Sequence, residues 1–171
     1  MLSALYIALT EREIDVNMTD PGEKMIMVRS KIVDAVVRDL LPWIEDNLSD
    51  ETIRVKTVTQ RSGYGHWHFQ RIFRVQMGCN LAEYIRLRRI SRAAFSVAFT
   101  NRDILDIAIE NGFTSQQNFS RIFKKYLLIA PTIFRKACSG QEVAFRKITR
   151  NLHENHICQI SKQMFFNELK N

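Results

Sequence analysis

The chain resembles itself at an offset of 49–50 residues, and a repeat of that length restricts it to folds that use one supersecondary unit twice. Val55-x-x-Val58-Thr59-x-x-x-Gly63-Tyr64 is matched by Ile104-x-x-Ile107-Ala108-x-x-x-Gly112-Phe113. In each copy an apolar pair three apart is followed by a small side chain, a glycine four further on, and an aromatic. That order describes a short helix ending at a glycine able to adopt positive φ, with a hydrophobic residue inside the turn. Phe69-Gln70-Arg71-Ile72-Phe73-Arg74 then corresponds to Phe119-Ser120-Arg121-Ile122-Phe123-Lys124, and four of the six residues are identical. The Phe, Ile and Phe stand at i, i+3 and i+4, so they share one buried face and leave the Arg and its polar neighbours on the other. The pattern predicts helix, tight turn, helix, twice.

The remaining periodicity fits an all-α chain. Ile32, Val33, Val36, Val37, Leu40, Leu41, Ile44 and Leu48 fall at three- and four-residue spacing from about Ser30, an amphipathic helix that Pro42 should kink or restart near Leu41. Helices are expected at about 53–62, 65–76, 80–99, 102–111 and 115–127, and no alternating strand pattern occurs among them. The longer central segment would join the two units. Residues 1–29, with the turn signal Asp20-Pro21-Gly22 and the alternative starts Met18, Met25 and Met27, read as a loosely ordered arm. The domain proper is assigned to 30–137. The extension 138–171 carries scattered apolar residues, among them Val143, Phe145, Ile148, Leu152, Phe165, Phe166 and Leu169, and either docks on the domain or a partner, or is disordered.

Charge is concentrated where the repeat lies. Residues 1–50 hold 5 Lys+Arg against 10 Asp+Glu, residues 51–137 hold 15 against 5, and residues 138–171 hold 5 against 3. A folded domain with such an excess carries a positive field, which fits a polyanionic partner or an Arg-rich solvated surface. The outward side chains favour the first. On the second helix of the first unit they are Trp67, Gln70, Arg71 and Arg74; on its counterpart they are Gln116, Gln117, Asn118, Ser120, Arg121 and Lys124. Arg can pair bidentately with guanine, Gln or Asn with adenine, and an apolar edge can meet a thymine methyl. Trp67 reads equally as a packing residue. Arg86, Arg88, Arg89 and Arg92 form a basic cluster on the central helix that suits either phosphates or solvent. The candidates for backbone contact are Arg74, Arg86, Arg89, Lys124 and Lys125.

Gly63-Tyr64-x-x-Trp67-His68-x-Gln70-Arg71-x-Phe73, Tyr84-Ile85-Arg86-x-Arg88-Arg89, Ile107-Ala108-x-x-x-Gly112-Phe113-x-Ser115-Gln116-Gln117-x-Phe119-x-Arg121-x-Phe123-Lys124 and Pro131-x-x-Phe134-Arg135 together resemble the AraC/XylS family of bacterial transcription regulators, in particular its short MarA, SoxS and RamA type. The resemblance covers about residues 30–137 and is most specific in the second half. It implies seven helices in two helix-turn-helix subdomains joined by a long helix, binding double-stranded promoter DNA as a monomer. It further implies that Trp67, Gln70 and Arg71 read one major-groove segment and Gln116, Gln117 and Arg121 the next, roughly 10 bp away. Members of this type activate multidrug-efflux, permeability and oxidative-stress genes by touching RNA polymerase, through a sigma factor or the C-terminal domain of the alpha subunit, and need no small-molecule effector. A DNA-binding repressor or an architectural protein is the alternative.

The chain departs from the family at four places: Gly65 stands where Ser or Thr usually caps the first reading helix, His66 where Lys is common, Asn118 where a small hydroxyl residue is usual, and Pro42 within a helix that relatives keep unbroken. No enzyme is expected, since the chain has no glycine-rich phosphate loop and no cysteine in a reactive context. Cys79, Cys138 and Cys158 lack a disulfide or metal pattern and read as reduced thiols, in keeping with a bacterial cytoplasmic, nucleoid-associated protein. His153-x-x-His156-x-Cys158 is incomplete as a zinc ligand set, so no metal or other cofactor is expected. Leu2–Leu9 is far shorter than the roughly 20 residues that span a bilayer, and no membrane partner follows.

Overall fold

A computed structural model describes residues 35–155, with side chains described to Thr149. The arm over 1–29, the residues Phe165, Phe166 and Leu169, and the His156 and Cys158 positions lie outside the described residues. The chain divides into two compact units, Met1–Asp39 and Leu40–Asn171. Of the first unit, residues 35–39 are helical.

The described residues contain helices and no strand. They are α1 (35–46), α2 (Val55–Ser62), α3 (His66–Met77), α4 (Leu81–Phe99), α5 (Ile104–Glu110), α6 (Gln116–Leu127), α7 (Pro131–Cys138) and α8 (Glu142–Asn155). The helical run is continuous through Pro42, so no new helix begins there. Pro42 is exposed, which leaves the carbonyl that loses its partner on the water side of the helix.

The repeat folds as its spacing predicts. Gly63 and Gly112 both end the first helix of their unit at φ +73°, a left-handed conformation that a Cβ disfavours. After Gly112 the chain re-enters the core at once, and the Phe113 amide donates to the Ala108 carbonyl at 3.0 Å. Phe69, Ile72 and Phe73 are buried on the inner face of α3, as Phe119 and Phe123 are on α6. The central helix α4 starts under the control of Asn80, whose side chain accepts from the Glu83 amide at 2.9 Å. It packs against α3 of the first helix-turn-helix and against α5, α6 and α7 of the second half.

The core of the second half is an aromatic chain. Ring centroids step from Phe113 to Phe119 (5.1 Å), to Phe123 (5.3 Å), to Phe134 (5.3 Å) and on to Phe145 (6.0 Å), at tilted or edge-on angles that suit aromatic quadrupoles. Phe145 belongs to α8, one helix more than the seven expected. It is fully buried and also meets Phe99 at 5.2 Å. The start of the C-terminal extension is therefore part of the domain's core, driven there by Phe145 and Ile148 at i and i+3. Of the two readings of the extension, its first helix takes the docked one.

Candidate nucleic-acid interface

The second helices of the two helix-turn-helix units, α3 and α6, are built alike and capped differently. Gly65 precedes α3 in an extended conformation and supplies no side-chain bond to the helix amides. Ser115 precedes α6 and its hydroxyl accepts from the Asn118 amide at 3.2 Å. α3 thus starts without a side-chain cap, and α6 starts pinned.

Burial of the Phe-x-x-[Ile]-Phe face turns the other face to solvent. On α3, Trp67 is 84% exposed, Arg71 and Arg74 are exposed, and Gln70 is half-buried. Trp67 is thus not part of the described core; its ring and that of His66 stand nearly perpendicular, at 5.5 Å between centroids. On α6, Gln116, Gln117, Arg121, Lys124 and Lys125 are exposed. Arg121 donates from Nη2 to the Asn118 Oδ1 one turn back, at 3.1 Å. Arg86 of α4 joins this face: with Arg121, Ile122, Lys125 and Tyr126 it lines a shallow depression of about 330 Å³ between the central helix and α6. Three cations around one hollow concentrate positive charge there.

Two arginines of the central helix do something else. Arg89, a candidate for backbone contact, is 9% exposed and donates from Nε to the Leu48 carbonyl at 2.9 Å and from Nη2 to the Asp50 carbonyl at 2.7 Å. It closes the C-terminal end of α1 and has no free face for a phosphate. Burial lowers its pKa from the ordinary guanidinium value, and the nearby Asp50 opposes that shift. Asp50 is itself held below the usual carboxylate value, mainly by accepting from the Thr52 amide at 2.8 Å. Arg88 is 2% exposed and forms a bidentate pair with Glu45, Nε to Oε1 and Nη2 to Oε2, both at 2.8 Å. The Tyr84 hydroxyl donates to the same carboxylate at 2.9 Å. Both arginines lie one turn after buried residues, Tyr84 and Ile85, and so share the inward face of α4. Of the basic cluster, Arg86 and Arg92 are exposed, and Arg92 donates to the Glu45 carbonyl at 3.0 Å.

The second half repeats the device. Arg135 donates to the Val97 carbonyl at 3.1 Å and the Arg102 carbonyl at 2.6 Å, tying the end of α4 to the start of α5 as Arg89 ties the end of α1 to the approach to α2. The sequence repeat does not announce this, because Arg89 and Arg135 are not in the same register of the two copies. Among the described residues no group of three or more His, Cys, Asp or Glu side chains is placed to hold a metal ion. No helix among them is long and apolar enough to cross a membrane.

Residues 58–137 match the family described as "Helix-turn-helix domain". Over 106 residues the chain is 45% identical to the probable transcription factor PqrA of Proteus vulgaris, covering 61% of this chain and 87% of that protein. It is 42% identical over 106 residues to the HTH-type transcriptional activator AarP of Providencia stuartii, covering 62% and 78%. The chain belongs to the AraC/XylS family. It is accordingly a DNA-binding transcription regulator. The fold agrees: an AraC-type transcriptional regulator from Chromobacterium violaceum superposes with a TM-score of 0.57 at 20% identity, covering 63% of this chain and 96% of that one. As an AraC/XylS protein the chain has α8 beginning beyond the residues that the family model matches.

Proposed function

We propose that the protein is a sequence-specific activator that binds double-stranded promoter DNA as a monomer and lays α3 and α6 into two successive major-groove segments. The observation that carries this is the pairing of two equivalent helices, each with both phenylalanines of its Phe-x-x-Ile-Phe face buried and with Arg71 on one and Gln116, Gln117 and Arg121 on the other exposed. Trp67, Gln70 and Arg71 read the first segment, and Gln116, Gln117 and Arg121 the second. Arg71 and Arg121 suit guanine, the glutamines suit adenine, and the exposed Trp67 ring offers an apolar edge to a thymine methyl. Arg74, Arg86, Lys124 and Lys125 contact phosphates and supply the salt-dependent part of the affinity.

The similarity to AarP, itself described as an activator, supports activation, reached by contact with RNA polymerase at a sigma factor or at the C-terminal domain of the alpha subunit. Control of stress and multidrug-resistance genes from the cytoplasm completes the reading. In vitro selection of bound sequences from random duplex DNA tests it. An asymmetric motif with two segments roughly one helical turn apart is expected. Salt-sensitive binding with no enriched sequence would contradict specific readout and leave an architectural protein; run-off transcription on the selected site then decides between activation and repression.

A further inference from the structure

We infer that Asn118 is a specificity-determining residue that acts by positioning Arg121 for base readout; the inference rests on the reading of Arg121 given above. Arg121 has two environments within reach. One turn towards the C-terminus and across on α4 lie Lys125 and Arg86, which line the same depression. A guanidinium settling among those cations would serve a phosphate, a contact that carries no sequence information. One turn towards the N-terminus lies Asn118, whose Oδ1 accepts from Arg121 Nη2 at 3.1 Å. Guanidinium has donors only, so the bond fixes the carboxamide oxygen toward it.

Asn118 is itself held. Its backbone amide donates to the Ser115 hydroxyl that caps α6, so the carboxamide springs from the capped first turn of the helix. The chain from Ser115 through Asn118 to Arg121 draws the guanidinium toward the N-terminal half of α6, where a recognition helix meets base edges. It also leaves the guanidinium's remaining donors available for a guanine edge. A long, rotamer-rich side chain ordered before binding loses less entropy on binding, and a fork held in one plane discriminates bases better than a mobile one.

The test measures base preference of the full chain at every position of its selected site, for the wild type, Asn118→Ala, Arg121→Ala and the double variant. Arg121→Ala is expected to abolish preference at one base pair. Asn118→Ala is expected to weaken preference at that same base pair by about two- to ten-fold, the range set by ordering one such side chain. Preference within the first segment should be unchanged, which a general loss of folding would not permit. In the double variant, preference at that base pair should match Arg121→Ala alone. If Arg121→Ala removes the preference and Asn118→Ala leaves it intact, or if Asn118→Ala erodes all positions equally, the positioning role is wrong while the readout by Arg121 stands. If Arg121→Ala changes no preference, both fall together.

Discussion

Gly112 faces Arg89 so closely that a Cβ on the glycine would stand 2.9 Å from the guanidinium carbon, and 2.7 Å from the Leu48 carbonyl that the same arginine binds. Three segments far apart in sequence meet there: the end of α1, the middle of α4 and the turn of the second helix-turn-helix unit. The absence of a side chain at Gly112 leaves room for the guanidinium and lets the turn seat on the central helix. The turn in turn covers the arginine.

Gly112→Ala should therefore cost more than strain alone. The positive φ contributes about 1 kcal/mol and the clash with a backbone oxygen adds to it, for a total of about 2–4 kcal/mol. Gly63→Ala has the same φ of +73° with nothing within 4 Å of the new methyl, so only the strain remains. Urea denaturation of the two variants is expected to separate them clearly, with Gly112→Ala the less stable. Equal losses would contradict the contact.

Arg89→Ala and Arg86→Ala should fail in different ways. Removing the Arg89 guanidinium leaves the Leu48 and Asp50 carbonyls without their donor, at a cost of about 2–3 kcal/mol in folding stability, and leaves the salt dependence of DNA binding unchanged. Arg86 is exposed; its loss should leave stability within about 0.5 kcal/mol and lower the salt slope by about one phosphate contact. Affinity measured against salt concentration, alongside urea denaturation, checks both. A reduced slope for Arg89→Ala would return that residue to the interface.

The unequal caps make a third contrast. Gly65 sits at φ −61°, ψ 144°, with open space where a Cβ would go, so Gly65→Ser is expected to stabilise by a few tenths to about 1 kcal/mol. Ser115→Ala removes a cap bond that exists and should cost about 1 kcal/mol. Thermal denaturation should show shifts of opposite sign.

Phe145→Ala tests whether α8 belongs to the fold. The ring is fully buried among Phe95, Phe99 and Phe134, and truncating it should cost about 3–5 kcal/mol. A loss below about 1 kcal/mol would mean that α8 is an appendage.

Most of the helices could be located by sequence because their signals are local. The apolar spacing and the glycines at 63, 78 and 112 set the observed ends to within two residues of expectation. The outward place of Arg71 was equally legible, since burying Phe69, Ile72 and Phe73 leaves it on the other face, whereas Trp67 suited packing as well and only its observed exposure sets it outside. What was missed depends on contacts 39–41 residues apart in sequence: Arg89 bonds to carbonyls of Leu48 and Asp50, and no periodicity announces a carbonyl acceptor. A trace of it was present, because Arg88 and Arg89 fall four residues after Tyr84 and Ile85 on the apolar face of α4. A run of arginines reads as one cluster until the helix divides it between core and solvent. The tie between Asn118 and Arg121 had the right i, i+3 spacing, yet only side-chain placement distinguishes a bond from two separate readers.

The most direct test of two reading helices acting on one duplex is to insert five base pairs between the two segments of the selected site and measure affinity. Five base pairs turn the second segment by about half a helical turn, to the opposite side of the DNA. The account predicts that affinity falls to that of a duplex carrying the first segment alone, and that base preference in the second segment vanishes. Undiminished affinity, with preference in both segments retained, would contradict it.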